Sequence, residues 1–181
     1  MLRTPAIDGD VRTAMMVNTW NTSMTTYEKL LAKLHRISGR LTRDPSNGDY
    51  REISNALHHN DPQVRERAVF AGGLRWKDKT ILGYIFYALH AGLDTDADNK
   101  RLMIETLASA AISGDIDRNI VDRELSAVLQ SGNRSCIEVK AAFVGLLRVR
   151  ELISTADLAR IDYDNVVIDI DRLKTHSGAR A

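Results

Sequence analysis

Apolar residues recur along most of this chain at the spacing of a helix, three and four positions apart, and polar clusters interrupt them at short intervals. The clearest stripe runs from Thr25 to Leu41, where Tyr27, Leu30, Leu31, Leu34, Ile37 and Leu41 share one face. Thr25 and Glu28 have capping-box spacing at its start. Pro45, Asn47-Gly48 and Asp49 then form a loop signal. Beyond it the pattern predicts helices over 49–59, 63–76, 79–92, 99–112, 117–130 and 135–150, separated by Asp61-Pro62, the acidic turn at Asp94–Asp98, Ser113-Gly114 and Ser131-Gly132. A further helix is expected from Asp10 to about Trp20, and a short one after the capping pair Ser154 and Asp157, to about Ile161. The last periodic stretch is ambiguous. Val166, Ile170 and Leu173 fit a helix, whereas Val166, Ile168 and Ile170 fit a strand, and the expectation adopted is a helix that caps the domain.

The best-formed unit is Asp61–Leu74. Asp61 is a good cap, Pro62 suits the first turn, and Val64, Ala68 and Ala71 fall on one face. With Val64 set against Asn99 and Val139, three other positions coincide in character: Arg65 with Lys100 and Lys140, Ala68 with Met103 and Phe143, Val69 with Ile104 and Val144. Two helices per unit of about 35–45 residues is the period of a helical solenoid, because one helix pair cannot bury both of its apolar faces and stacking does so. Around DPQVRERA (Asp61–Ala68) the chain resembles the HEAT-repeat family, whose bacterial members often carry an Asp-Pro-x-Val-Arg-x-x-Ala second helix. Asn99–Leu107 and Val139–Leu147 follow it in pattern, so the resemblance covers about 49–150. It implies an all-α, right-handed α-solenoid of antiparallel helix pairs. A helical bundle without repeats would show similar periodicity. The expected organisation is a single domain, with N-terminal helices in 1–48, HEAT-like repeats in 49–150 and a capping segment in 151–181.

Charge narrows the function classes. Lys and Arg number 25 against 24 Asp and Glu, so no strongly basic surface for nucleic acid is indicated by the total. Cys136 is the one cysteine, which excludes an internal disulfide and leaves no Cys/His metal spacing. No run approaches the roughly 20 apolar residues of a membrane span, and the start of the chain lacks the apolar core of a signal peptide. By elimination, a soluble cytoplasmic protein is expected.

Individual residues offer little chemistry. Adjacent His58 and His59 point about 100° apart on a helix and do not converge on one ion. The stretch from Asp94 has a Glu105 where a calcium loop needs its last ligand, but Asn99 stands where that loop needs glycine. Gly72-Gly73 signals close helix packing or a kink. No catalytic constellation, metal site or cofactor site is apparent, and no enzymatic activity is expected; a lone Cys136 does not establish a likeness to HEAT-like bilin lyases. The leading expectation is a protein–protein interaction scaffold or adaptor, with Arg65, Lys100, Lys140 and Trp76 as candidate binding residues. Its partner would be another protein, with an acidic segment docking along the basic row. In the competing structural reading, the row pairs with Asp61 and Asp96. The alternative function is nucleic-acid binding, as in HEAT-like DNA glycosylases, against which the near-neutral charge argues.

Overall fold

A computed structural model describes residues 25–39 and 45–174. The expected helix at 10–20, with Trp20, lies outside the described residues. The helices are α1 (Thr26–Gly39), α2 (Asn47–Ala56), α3 (Pro62–Ala68), α4 (Lys79–His90), α5 (Ala97–Ser113), α6 (Arg118–Ser131), α7 (Ile137–Val149), α8 (Thr155–Leu158) and α9 (Ile170–Lys174). A π-helical segment, Val69–Arg75, continues α3, and a single 3₁₀ turn covers Tyr163–Asn165. The described residues are all-α, with no strand among them.

Helix starts follow the local chemistry. The Thr25 N–H donates to Glu28 Oε2 at 2.7 Å, and the Glu28 N–H donates back to Thr25 Oγ1 at 3.2 Å, a reciprocal capping box. Asp61 Oδ1 accepts from the N–H groups of Gln63 and Val64 at 2.8 and 3.4 Å, with Pro62 in the first turn. Asp78, Asp96, Asp117 and Ser154 cap α4, α5, α6 and α8 in the same way.

Four helices, the odd-numbered ones from α1 to α7, form one row. α1, α3 with its π segment, α5 and α7 pack each against the next, and α2, α4 and α6 each touch the two odd-numbered helices that flank them. Neighbours in the row run parallel. Tyr27 at the start of α1 donates to Gln63 at the start of α3, 36 residues on, and Lys77 past the end of the π segment donates to Ser113 at the end of α5, again 36 residues on. Three of the row's helices also end alike. Lys77, Gly114 and Glu151 all have positive φ, at 55°, 78° and 61°, and they succeed each other by the same 37-residue step that separates Asn99 from its hydrogen-bond acceptor Pro62. Two of the three carry a Cβ in a region that glycine occupies at no cost, so the chain reversal recurs despite some strain.

The core lies between the row and the even-numbered helices. Leu34, Ile53, Val64, Ile85, Ile104 and Leu125 are among its fully buried members. Val64 and Ala68 both lack any exposed surface, as the register requires.

Gly72 and Gly73 explain the π segment. Both are buried, and a Cβ on Gly73 would stand 2.5 Å from Ile85 Cδ1 and 2.7 Å from Thr106 Cγ2, so α4 and α5 close directly onto backbone there. The wider turn, in which the Trp76 N–H donates to Ala71 O at 3.0 Å, moves the row helix across both. Gly73→Ala sets a gain in helix propensity of about 1 kcal/mol against overpacking of about 1–3 kcal/mol. Overpacking wins, because the Thr106 methyl sits on a stiff β-branched side chain. A lower urea midpoint with an unchanged m value is the expected result.

One expected element is corrected. The segment Val166–Leu173 is not a helix throughout: α9 begins only at Ile170, and the residues before it are without regular secondary structure. Val166, Ile168 and Ile170 are half-buried against the core while Val167 is 83% exposed. That is the two-residue period of extended chain, without a ladder. α8 is also a single turn, shorter than expected.

Candidate functional site

Arg65, Lys100 and Lys140 each stand four residues after the N-cap of their helix, which is Asp61, Asp96 and Cys136 in turn. The expected pairing with Asp61 and Asp96 does not occur. Both acids accept from backbone N–H groups as caps, and the cations reach past them to partners further along the chain. Helical side chains lean toward the N-terminus, which carries a long cation beyond its own cap.

Arg65 makes the strongest of these links. Its Nε and Nη2 donate to Asp94 Oδ2 and Oδ1, both at 2.8 Å, and its Nη1 donates to the carbonyls of His59 and Asn60 at 2.9 and 2.8 Å. Asp94 is only 5% exposed. Its Oδ1 also accepts from the Asp96 N–H at 2.9 Å, and its Oδ2 from Asn99 Nδ2 at 3.2 Å. Burial alone raises a carboxyl pKa, but the fork from Arg65 and the bonds from Asp96 and Asn99 outweigh it and hold Asp94 below its ordinary value. Asn99, itself buried, donates to Pro62 O at 3.1 Å as well, tying α5 to the start of α3. The acidic turn that resembles a calcium loop is thus an acceptor for Arg65 and a cap for α5. Among the described residues no group of three or more His, Cys, Asp or Glu is placed to hold a metal ion.

The other two cations make weaker forward links. Lys100 Nζ lies 3.8 Å from Glu138 Oε1, and Lys140 Nζ donates to the backbone carbonyl of Asp164 at 2.7 Å. Arg65 thus joins α3 to the turn before α5, Lys100 joins α5 to α7, and Lys140 joins α7 to the 3₁₀ turn. Reversing charge at both lysines (Lys100→Glu with Lys140→Glu) replaces one partly exposed ion pair with a repulsion against Glu138. A loss of about 1 kcal/mol is expected in urea denaturation, since such pairs contribute little.

Trp76, expected as a surface contact, is a core residue. It is buried, and its Nε1 has no hydrogen-bond partner among the described residues. A tryptophan at the end of an apolar run gives no local sign of which side it faces. The two histidines separate, as expected on a helix end. His59 Nδ1 accepts from the Asp61 N–H at 3.0 Å, and the His58 ring meets Tyr84 edge-on at 4.7 Å.

Three features escaped the sequence reading. Arg150 forks onto Asp122, at 2.7 and 2.8 Å, and also donates to Leu173 O at 3.1 Å. No local spacing joins α6, α7 and α9. Next, Arg101 pairs with Glu105 at 2.8 Å and lies 5.7 Å from the Tyr163 ring centroid, with the half-buried Arg148 close by. Burial first, and then the Glu105 carboxylate, push the Tyr163 hydroxyl well above its usual range. Burial lowers the Arg148 pKa. The third feature is on the even-numbered helices. Tyr87 of α4 is 58% exposed and Leu93 just beyond it 54% exposed. His90 meets Glu124 at 3.0 Å across α4 and α6, and Ile120, one turn before Glu124 on α6, is exposed as well.

No protein-family model matches this chain, and neither a curated protein nor a solved structure matches it. No helix among the described residues is long and apolar enough to cross a membrane.

Proposed function

We propose that the chain is a HEAT-like α-solenoid working as a non-catalytic protein-binding scaffold. Three observations support the solenoid: parallel row helices, left-handed helix ends at one step, and cations at one helix position that reach partners further along the chain. In such a stack each unit contacts only its neighbours, which leaves long outer faces for a partner.

The observation that carries the docking reading is the exposure of three large apolar side chains, Tyr87 on α4, Leu93 just beyond it and Ile120 on α6. The cations of the row are engaged within the chain, whereas these apolar side chains are largely open to water. Tyrosine contributes strongly to interfaces because it covers much apolar area at little entropic cost. The basic row of Arg65, Lys100 and Lys140, by contrast, is occupied by contacts within the chain.

Affinity capture from the native host with the parent protein and with Tyr87→Glu tests this reading. The variant is expected to keep its stability within about 0.5 kcal/mol, as exposed sites do, and to lose the captured protein. Equal recovery by both proteins would reject Tyr87 as part of a docking face. Retention on heparin at about 0.15 M salt would favour nucleic acid instead.

A further inference from the structure

We propose that the outward face of α4 pairs with the same face of a second copy of this chain, antiparallel across a two-fold axis, so that Tyr87 of each copy lies over Gly83 of the other. This rests on the docking reading of Tyr87 and names the partner.

Gly83 is the residue that the fold itself does not explain. Gly72, Gly73 and Gly145 also lie inside helical segments, and each admits a close neighbour. A Cβ on any of them would come within 2.8 Å of a side chain on another helix. Gly83 is different. It is exposed in the middle of α4, and a Cβ there would meet nothing within 4 Å. Glycine at such a place weakens the helix relative to alanine and packs against nothing of its own chain. A neighbour that comes close to the α4 backbone at this point belongs to another molecule.

The face around Gly83 is complementary to itself. Gly83 and Tyr87 stand one turn apart on the same side of α4, a recess followed by a ring that is 58% exposed. Two copies set antiparallel about an axis level with Ile85 place position 87 of one opposite position 83 of the other, and the contact is made twice. Tyr84 is half-buried and its hydroxyl donates to Leu57 O at 3.3 Å, so Thr80, Gly83 and Tyr87 form the exposed line. From Thr80 to Leu89 the helix has no charged residue, and two such faces meet without the repulsion that a face of one charge sign would bring. Lys79 at the start of α4 comes level with Ala91 of the other copy, which is the C-cap of that helix. A cation is favourable beside those last carbonyls. A single helix face buries less than the roughly 1,600 Å² of a standard interface, so the association is weak, with a Kd on the order of 10 µM.

Sedimentation velocity of the full chain, at concentrations from well below to well above that value, tests the pairing. The parent is expected to pass from monomer to dimer. Gly83→Leu fills the recess and Tyr87→Ala removes the ring, and each is expected to weaken the dimer about tenfold or more. Both sites are exposed, so both variants should keep a cooperative melt. An equal mixture of the two should associate more tightly than either alone. One contact of the mixed dimer keeps Tyr87 over Gly83, and in the other the new leucine occupies the space that the ring left. Gly83→Ala is expected to raise the melting temperature of the monomer and weaken the dimer. A glycine that faces only water would give the first effect without the second. A parent that stays monomeric throughout overturns the proposal, as does a dimer unchanged by Gly83→Leu or a mixture no tighter than its components. A monomeric parent that captures a different protein, and loses it with Tyr87→Glu, overturns the pairing of copies and leaves the docking reading in place.

Discussion

Arg65→Ala should cost the fold about 3–5 kcal/mol, the usual consequence of leaving one charge of a buried pair alone. The carboxylate left behind is the reason. Asp94 is nearly inaccessible, and it keeps only the Asp96 N–H and the Asn99 amide once the guanidinium is gone. Two carbonyls, His59 O and Asn60 O, lose a donor as well. Arg65→Lys would be no remedy, since an ammonium cannot fork onto both carboxylate oxygens and reach those carbonyls together. The pH dependence gives a second check. The pKa of Asp94 is lowered in the folded protein, so its contribution is complete above the ordinary carboxylate value and is lost as pH falls through the lowered one. In Arg65→Ala burial acts on Asp94 unopposed by the cation, so this carboxyl takes up its proton at higher pH. The stability gap between parent and variant is therefore widest near neutrality and narrows below about pH 4. A gap that stays constant from pH 7 to pH 3 would show that the ion pair is not its source.

The contrast between Arg65 and its two counterparts shows where sequence reading stops. The register of Val64, Asn99 and Val139 was legible because it is the register of helix starts, set by local caps and by the 3.6-residue period. The shared position of the three cations, four residues after each cap, was legible too, but the pairing expected from it, with Asp61 and Asp96, is not the one made. The partners themselves could not be read, because a guanidinium that bridges Arg65 to Asp94 leaves no trace in neighbouring spacing. The same limit hid Arg150–Asp122 and the Tyr163 cluster. The Gly72-Gly73 pair announced close packing, yet whether it would kink the helix or widen it depended on Ile85 and Thr106, which lie on two other helices. In the segment after Asn165 both periods were present in the residues. Burial against the core decided between them: over 166–169 the chain is extended and turns alternate side chains inward, and the helix begins only at Ile170.

Val64→Asp is expected to be as damaging as the loss of Arg65, and it separates two opposing effects at one position. Val64 is the third residue after the Asp61 cap, in the first turn of α3. An acid there gains up to about 1 kcal/mol from the helix dipole when it is exposed. Val64 is fully buried, however, so the carboxylate must lose its water, which costs several kcal/mol or forces it to stay protonated. Desolvation wins. Asn99 occupies the corresponding place in α5 and is tolerated there because it is neutral and its amide donates to Pro62 O and Asp94. No such acceptor pair can serve a carboxylate, which needs donors. Burial raises the pKa of the new acid in the folded state above its unfolded value near 3.9. The penalty therefore begins above that value and grows by about 1.4 kcal/mol per pH unit until the raised pKa is reached. Thermal melts of Val64→Asp and Val64→Asn from pH 5 to pH 8 distinguish the causes. The asparagine variant should lose a constant amount, and the aspartate variant should lose progressively more as pH rises. Parallel curves for the two would mean that cavity and shape, rather than charge, govern this position, and a melt equal to that of the parent would place Val64 at the surface and remove the register on which the stack is built.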